Sequence, residues 1–246
     1  MIRYTVPHYY DFGPSTHVVG EHLGSAESWE RLRLSDDRRL APAFALPSSR
    51  QEWLLSCGRS VADTVAARDL ANAIRAAGFR TIVSVGVGRG AVEYHLKREL
   101  PHVRVVCAEQ SARLLEPLRR VFVECDEFRV FDVRCGDWAW IPSDAACVFN
   151  RIDTELDDDV WRSVFHDLGR SGVQSILVVA TGFLTPRTAA IQVWRRASAW
   201  WRRARLTCAG YLRTKPQFVS LWSADYVTQR EISVGTLSGF ILKRKT

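Results

Sequence analysis

The amino-acid sequence predicts an α/β fold with a doubly wound sheet. Five short runs are apolar throughout instead of alternating, and mostly helix-like segments separate them. A strand covered by helices on both faces requires such a run. The five runs are TIVSV from 81, VRVVC from 103, FRVFDV from 128, AACVF from 145 and ILVVA from 176. Repetition of strand, helix and strand therefore indicates a mostly parallel sheet between two helical layers.

About a third of the chain precedes the first run. It has a Pro- and Gly-containing opening to about Pro47, and then a helical pattern that ends at Gly78. Glycine adopts the left-handed conformation that commonly ends a helix. We therefore expect residues 1–75 to form a helical N-terminal cap or lid and residues 76–246 to form the core, with one domain overall.

The helices between the runs have recognisable ends. The helix after the first run starts at a glycine turn and stops before Pro101. Asp157, Asp158 and Asp159 begin the helix that ends near Gly169, where carboxylates stabilise the positive end of the helix dipole. A metal site is the alternative interpretation of these three carboxylates, and the helix start is favoured.

The chain changes character after the fifth run. Residues 186–216 form a basic, Trp-rich helical insert, and two β-like runs follow from 226 and 237. Because very few residues separate these two runs, they predict a hairpin that makes the end of the sheet antiparallel.

Composition limits the class of protein. With 246 residues and 47% apolar content, the chain can bury a sizeable core, which excludes a disordered or fibrous protein. The longest apolar runs have four or five residues, far short of the ~20 that span a bilayer. The polar start lacks the features of a secretory signal, so we expect a soluble, cytoplasmic protein. Six cysteines occur without a C-x-x-C pair, which favours buried free thiols over zinc or disulfides.

The positive charge of the chain is local. Its net charge is +7, but residues 186–215 alone hold eight Arg or Lys and no acidic residue, which leaves 26 basic against 27 acidic residues elsewhere. Any electrostatic attraction of an acidic partner is therefore expected at this insert.

The glycine-rich turn after the first strand is the strongest functional signal. Gly86, Gly88 and Gly90 spell G-x-G-x-G, and Gly86 and Gly88 with Ala91 also match the dinucleotide pattern G-x-G-x-x-A. Both patterns let a nucleoside approach the carboxyl edge of the sheet, where helix amides favour negative groups. The turn alone predicts a nucleotide or nucleoside site without deciding between the ligands.

Glu109 lies where the second strand of such a unit ends, 19 residues after Gly90. A carboxylate at this position accepts hydrogen bonds from ribose hydroxyls of nicotinamide and adenosyl ligands alike. The alternative is an ordinary exposed residue at a strand end, and the spacing favours the ribose contact.

A third motif, CGDWAW, follows the third strand and contains Asp137 and Trp138. A carboxylate there can accept from the exocyclic amine of an adenine, and the aromatic residue can flank the ring. With VSVGVGRG, Glu109, VFN at the fourth strand and the closing hairpin, the chain resembles class I S-adenosylmethionine-dependent methyltransferases. The resemblance covers roughly residues 70–180 and the hairpin.

The resemblance implies a Rossmann-like, seven-stranded sheet with an inserted antiparallel last strand, and S-adenosylmethionine as cofactor. It also implies roles for individual residues: the glycine turn lines the cofactor loop, Glu109 holds the ribose, Asp137 and Trp138 hold the adenine, and Asn150 faces the reacting methyl. One position departs from the family, because Ser84 stands where the first strand commonly carries an acid. A hydroxyl there can bond the amino end of the ligand directly or through water.

Methyl transfer needs few catalytic residues, because the protein mainly aligns the acceptor with the methyl and excludes water. For oxygen or nitrogen acceptors a histidine is the usual general base. His8, His17 and His22 lie in the expected lid and are, with Asn150, the candidate catalytic residues. Surface or packing roles are the alternative for each histidine. We predict no metal ion in the reaction.

The acceptor is expected to be a small organic molecule, with a role in secondary metabolism. In the insert, Ile191, Trp194, Ala197, Trp201 and Ala204 form one helical stripe, which we expect to pack on the core as part of a lid. Interleaved arginine and aromatic residues keep RNA methylation as an alternative. Two further alternatives are an insert that contacts an anionic membrane surface, and a cofactor-binding partner subunit without activity.

Overall fold

Two sheets organise the chain in the computed structural model, which describes residues 4–8, 27, 30, 49–201 and 207–246. In chain order the strands are β1 (Tyr4–His8), β2 (Thr81–Val85), β3 (Arg104–Glu109), β4 (Glu127–Val130), β5 (Ala146–Asn150), β6 (Ser175–Val179), β7 (Thr207–Leu212), β8 (Tyr226–Val234) and β9 (Leu237–Arg244). Strands β1 and β7 pair antiparallel in a two-stranded sheet. The other seven form one sheet in the order β4-β3-β2-β5-β6-β9-β8.

Helices cover both faces of the larger sheet. They are α1 (Arg50–Arg59), α2 (Val61–Ala77), α3 (Ala91–Glu99), α4 (Ala112–Val121), α5 (Asp158–Arg170), α6 (Pro186–Trp201) and α7 (Lys215–Ser220), with a 3₁₀ turn at Val133–Cys135. The predicted helical pattern before the first strand corresponds to α2, which ends at Gly78 in the left-handed conformation (φ 73°).

The pairing directions confirm the predicted topology. Strands β2 to β6 are parallel to one another, whereas β9 is antiparallel to both of its neighbours, β6 and β8. The last strand is therefore inserted antiparallel between β6 and β8. This arrangement is the Rossmann-like, seven-stranded fold that the sequence predicts.

The central strands β2, β3, β5 and β6 are buried on both faces, which is why they are almost entirely apolar. On one face Ile82 belongs to a core with α2, α3 and α4, while the adjacent Val83 belongs to a second core with α5 and aromatic residues of the C-terminal region. Because β2, β3, β4 and β5 are parallel, their carboxyl ends meet at one edge of the sheet.

The three consecutive aspartates are a helix start, as favoured from the sequence. Asp157 caps α5, and its Oδ1 accepts from the backbone N–H groups of Asp159 (3.0 Å) and Val160 (2.9 Å). These bonds satisfy N–H groups that have no partner within the helix.

The third run differs from its prediction, because β4 ends at Val130 and not near Val133. The next residues leave the sheet, and Asp132 caps the short 3₁₀ turn by accepting from the backbone N–H of Arg134 (2.9 Å). The Asp132 side chain therefore bonds a backbone N–H that would otherwise be available for pairing in the sheet.

The expectation that the Trp stripe of the insert packs on the core is wrong. Trp194 and Trp201 on α6 are 66% and 82% exposed. The partly buried positions of this helix, as far as its side chains are described, are small or polar: Thr188, Ala189, Gln192 and Ser198. The helix therefore rests on the protein through its polar side.

Candidate nucleoside-binding cleft

The glycine turn connects β2 to α3 at the carboxyl edge of the sheet. Gly86, Gly88 and Gly90 have φ angles of 73°, 59° and 70°, a region that residues with a Cβ rarely adopt. The N–H of Gly86 donates to the carbonyl of Ala108 on β3 (2.9 Å), and Gly90 is the N-cap of α3. The turn therefore directs the amino end of α3 toward the cleft edge.

Packing also requires glycine at two of these positions. A Cβ on Gly86 would lie 2.7 Å from Cγ2 of Ile152, and one on Gly90 would lie 2.9 Å from Cδ1 of Leu118. Ala91, which completes the alternative dinucleotide pattern, is the buried first residue of α3. The turn is thus held tightly between the loop after β5 and helix α4.

Glu109 is the last residue of β3 and is buried, with 5% of its surface exposed. One carboxylate oxygen accepts from the N–H of Gly88 (3.3 Å) and the other from the N–H of Gln110 (2.9 Å). These bonds fix the carboxylate beside the glycine turn, at the point where the sequence predicts the ribose contact.

A cleft opens between the ends of four strands. Its volume is about 450 Å³, including the space open to solvent. The lining residues come from the ends of β2 and β3 and from the loops after β4 and β5: Val85, Gly86, Glu109, Gln110, Phe131, Asp132, Val133, Arg134, Ile152, Glu155 and Leu156. Apolar walls with a few carboxylates are typical of small-ligand sites.

Asp132 and Arg134 form an ion pair in the cleft wall. Nε of Arg134 donates to both oxygens of Asp132 (2.9 and 3.1 Å), and Nη2 donates to Asp132 (2.7 Å) and to Oε1 of Gln110 (3.2 Å). Partial burial opposes ionisation of Asp132, but the bonds from Arg134 prevail and lower its pKa. An ionised carboxylate therefore lines the cleft after β4.

The structure does not bring Asp137 into this lining. Asp137 is exposed, and its Oδ1 accepts from the backbone N–H of Ala139 (3.0 Å). Trp138 is fully buried and packs edge-on against Phe131, with ring centroids 4.6 Å apart. Trp138 thus supports an aromatic residue of the cleft wall from behind.

Asn150 ends β5 next to the cleft, and its Oδ1 is buried without a hydrogen-bond partner among the described residues. The following residue, Arg151, has a positive φ of 62°, which is uncommon for a residue with a Cβ. This sharp turn leads directly to Ile152, which contributes to the cleft wall. Asn150 itself is absent from the lining of the cleft.

Arg213 holds the loop after β5 in position. The guanidinium is 5% exposed and donates to Asp158 Oδ1 and to the carbonyls of Asp153 and Leu156, each at 2.6 Å. Asp153 is buried as well and accepts from the N–H (2.8 Å) and hydroxyl (2.6 Å) of Thr181. Burial raises the pKa of Asp153 despite these bonds. Among the described residues no cluster of three or more His, Cys, Asp or Glu side chains is placed to hold a metal ion.

Ser84 lies inside the protein behind the glycine turn. Its hydroxyl donates to Oε1 of Glu93 on α3 (2.6 Å), and both side chains are buried. Burial raises the pKa of Glu93 to about 7, in spite of the stabilising bond from Ser84. Sequence reasoning missed Glu93, because a glutamate inside a helical pattern carries no signal of burial.

Part of the predicted lid contacts the cleft rim. The carboxylate of Glu30 accepts from Ser111, which caps α4 directly after Gln110, and from Nη1 of Arg113 (3.2 Å). His8 lies in β1, where it pairs with Thr207 of β7. His17 and His22 lie outside the described residues.

Sequence reasoning located two residues of the cleft lining and missed others. Of the predicted residues, Gly86 and Glu109 line the cleft, while Gly88, Gly90 and Asn150 lie outside its lining; Asp132, Gln110 and Glu155 were not anticipated. Asp132 was hidden within the run FRVFDV, which looks like a strand to its end. Its position near the end of the third strand was the one sequence feature that could have identified Asp132 as a cleft residue.

These features give the chain a Rossmann-like fold with a candidate nucleoside cleft at the carboxyl edge of the sheet. No protein-family model matches the chain, and no curated protein matches its sequence. Solved structures do match. The mitomycin 7-O-methyltransferase MmcR has a TM-score of 0.61 at 18% identity over 92% of this chain, and PigF, solved with SAH, has 0.62 at 13% over 92%.

Human N-acetylserotonin methyltransferase, solved with SAM, has a TM-score of 0.56 at 14% identity over 80% of this chain. The chain spans 64%, 66% and 57% of the length of MmcR, PigF and the human enzyme. At these identities the similarity establishes the fold. The chain has the fold of class I methyltransferases.

Proposed function

We propose that the protein is an S-adenosylmethionine-dependent methyltransferase that acts on a small organic acceptor. The observation that carries this proposal is the buried carboxylate of Glu109, held beside a left-handed glycine turn in a cleft at the carboxyl edge of the sheet. The proposal draws support from MmcR and the human enzyme, which are named as methyltransferases, and from PigF, which was solved with SAH.

The cleft residues suit this cofactor. Glu109 offers carboxylate oxygens for ribose hydroxyls, and the glycine turn admits a ligand close to the backbone. Asp132 presents an ionised carboxylate for an exocyclic amine or a cationic group, and the unpartnered Oδ1 of Asn150 lies at the end of β5. The role of Asp137 at the adenine stays a prediction, and its exposed position makes Asp132 the stronger candidate.

When bound, S-adenosylmethionine would supply a sulfonium methyl that a nucleophile attacks in line with the methyl–sulfur bond, and S-adenosylhomocysteine would be the leaving group. The protein residues bind and orient. Glu109 fixes the nucleoside end, Ile152 and Phe131 exclude water from the cleft, and Arg213 holds the loop that carries Glu155 and Leu156. Such positioning accounts for much of the acceleration of a displacement between two held partners.

The N-terminal region is the proposed source of the acceptor-binding residues. Within residues 1–75, α1 and α2 pack in the core beside the sheet. We therefore propose that the residues before α1 form the lid over the cleft, on the basis of the contact of Glu30 with Ser111 and Arg113. His8, His17 and His22 remain the general-base candidates of the N-terminal region, and Asn150 remains the candidate at the end of β5. A small acceptor is favoured because mitomycin and N-acetylserotonin are small molecules and appear in the names of two neighbours.

Titration calorimetry of the full chain with S-adenosylmethionine tests the proposal. We expect binding that Glu109→Ala abolishes and that Glu99→Ala, an exposed change at the end of α3, leaves unchanged. Absence of binding would refute the proposed methyltransferase activity. Tighter binding of NAD than of S-adenosylmethionine would favour a dinucleotide-binding protein. Binding without methyl transfer to any acceptor would favour the inactive partner subunit, and transfer to RNA alone would favour the RNA alternative.

A further inference from the structure

Helix α6 exposes a broad apolar surface. Val193, Trp194, Trp200 and Trp201 are 66%, 66%, 80% and 82% exposed, and Ala190, Ile191 and Ala197 on the same helix are exposed too. Scattered single apolar residues are normal on a protein surface. Three tryptophans with aliphatic neighbours on one helix form a contiguous patch of the kind that marks an interaction site.

Another side of α6 meets the protein. Reciprocal bonds between Thr185 and Thr188 start the helix, and the hydroxyl of Thr188 also donates to the carbonyl of Phe183 (3.0 Å). The Oε1 of Gln192 is buried against the protein. The bonds of Thr188 are local to the start of the helix, and Gln192 Oε1 has no hydrogen-bond partner among the described residues. The partly buried Thr188, Ala189 and Gln192 form the side of the helix that meets the protein, and the tryptophans are exposed.

The sequence around the patch is strongly basic. Residues 186–205 contain six Arg and no Asp or Glu, whereas Arg213 and Lys215 further along are paired with Asp158 and Glu231. A second copy of the chain is therefore a poor partner for this face, because a face-to-face contact would bring two such segments together. The complementary partner is anionic.

Two anionic partners differ in what they do with the apolar residues. Bases of a nucleic acid stack on aromatic rings and gain little from Val193, Ile191 or the alanines. The boundary between lipid headgroups and acyl chains accommodates tryptophan and aliphatic side chains together, while basic residues meet anionic headgroups. The mixed aromatic and aliphatic face on a 16-residue helix favours the lipid surface.

We propose that α6 docks the protein on an anionic lipid bilayer, lying in the interface with its Trp face in the headgroup region. This role goes beyond the proposed enzymatic function and does not depend on it. The helix lies on the membrane and does not cross it; within the described part of the chain no helix has the length and apolar character to span a bilayer.

Co-sedimentation of the full chain with vesicles tests the proposal. We expect at least tenfold tighter binding to phosphatidylcholine vesicles containing about one-third phosphatidylglycerol than to pure phosphatidylcholine, and weaker binding as salt increases. The double variant Trp200→Ser/Trp201→Ser should lose about tenfold in binding. The matched control Val61→Ser/Val123→Ser, which removes two exposed apolar side chains elsewhere, should bind like the natural chain.

A second pair of variants separates location from total charge. Arg202→Gln/Arg203→Gln should weaken binding severalfold, and Arg119→Gln/Arg120→Gln, which removes the same charge from the exposed side of α4, should not. Far-ultraviolet circular dichroism confirms that each variant is folded. The proposal is overturned by equal binding to both vesicles, by loss of binding in the control variants, or by tight RNA binding without vesicle binding. A stable dimer that Trp200→Ser/Trp201→Ser dissociates would overturn it as well.

Discussion

The hydroxyl of Ser84 donates a 2.6 Å hydrogen bond to Oε1 of Glu93, and this buried pair ties β2 to α3 behind the glycine turn. The resemblance leads one to expect an acid at the position of Ser84, and the helix brings a carboxyl to the same place from the other side of the turn. Because burial raises the pKa of Glu93 to about 7, this carboxyl is half protonated near neutral pH.

Glu93 should make stability depend on pH. An unfolded glutamate loses its proton near pH 4.5, whereas folded Glu93 keeps it until about pH 7. The unfolded state is therefore favoured increasingly as pH rises through this window, by on the order of 3 kcal/mol at most. Glu93→Gln should remove this part of the decline between pH 5 and 8 in urea unfolding. Glu99→Gln, at an exposed position of the same helix, should retain it; equal slopes for Glu93→Gln and the natural chain would contradict the account.

Gly86→Ala should destabilise the protein more than Gly172→Ala. Both glycines have positive φ, so both substitutions carry a backbone cost of about 1–2 kcal/mol. Only the Cβ at position 86 meets an obstacle, Cγ2 of Ile152 at 2.7 Å, and a Cβ at Gly172 has nothing within 4 Å. We expect a further ~1–3 kcal/mol at position 86. Thermal unfolding of the two variants measures the difference, and equal costs would contradict the tight packing of the turn.

Arg213→Met should destabilise the fold and loosen the loop after β5. The change leaves Asp158 and the carbonyls of Asp153 and Leu156 without their donor, at a cost of about 3–5 kcal/mol. Lys215→Met breaks the half-exposed ion pair with Glu231 and should cost less than about 1 kcal/mol. Urea unfolding and limited proteolysis of the loop compare the two; similar losses would show that Arg213 does not hold the loop.

Asp132 and Asp137 can be separated by cofactor affinity. Asp132 lines the cleft and Asp137 does not. We expect Asp132→Asn to weaken S-adenosylhomocysteine binding about tenfold, roughly the effect of one charge-assisted hydrogen bond. Asp137→Asn should change it less than about twofold. The reverse order would restore the sequence-based assignment of the adenine contact.

Much of the fold follows from local patterns. The apolar runs mark β2, β3, β5 and β6 because strands buried on both faces have few polar positions, and Gly78 marks the end of α2 because glycine readily adopts the left-handed cap. The end of β4 and the orientation of α6 depend on tertiary contacts that local patterns do not record. Asp132 ends β4 early by capping the next turn, and α6 meets the protein through Thr188, Ala189 and Gln192 while its tryptophans are exposed.

The candidate site was predictable only at its strand ends. Gly86 and Glu109 lie at fixed distances along a strand-turn-helix unit, so spacing alone locates them. The positions of Asp132, Glu93 and Arg213 depend on contacts between segments that are far apart in the sequence. No local pattern records which helix face or loop will meet the cleft.

A crystal structure of the full chain with S-adenosylhomocysteine tests the central claim most directly. The account predicts the adenosyl group in the cleft, with a carboxylate oxygen of Glu109 at hydrogen-bond distance from the ribose hydroxyls and the glycine turn against the amino acid portion. A ligand bound elsewhere, or a ribose without contact to Glu109, would contradict it.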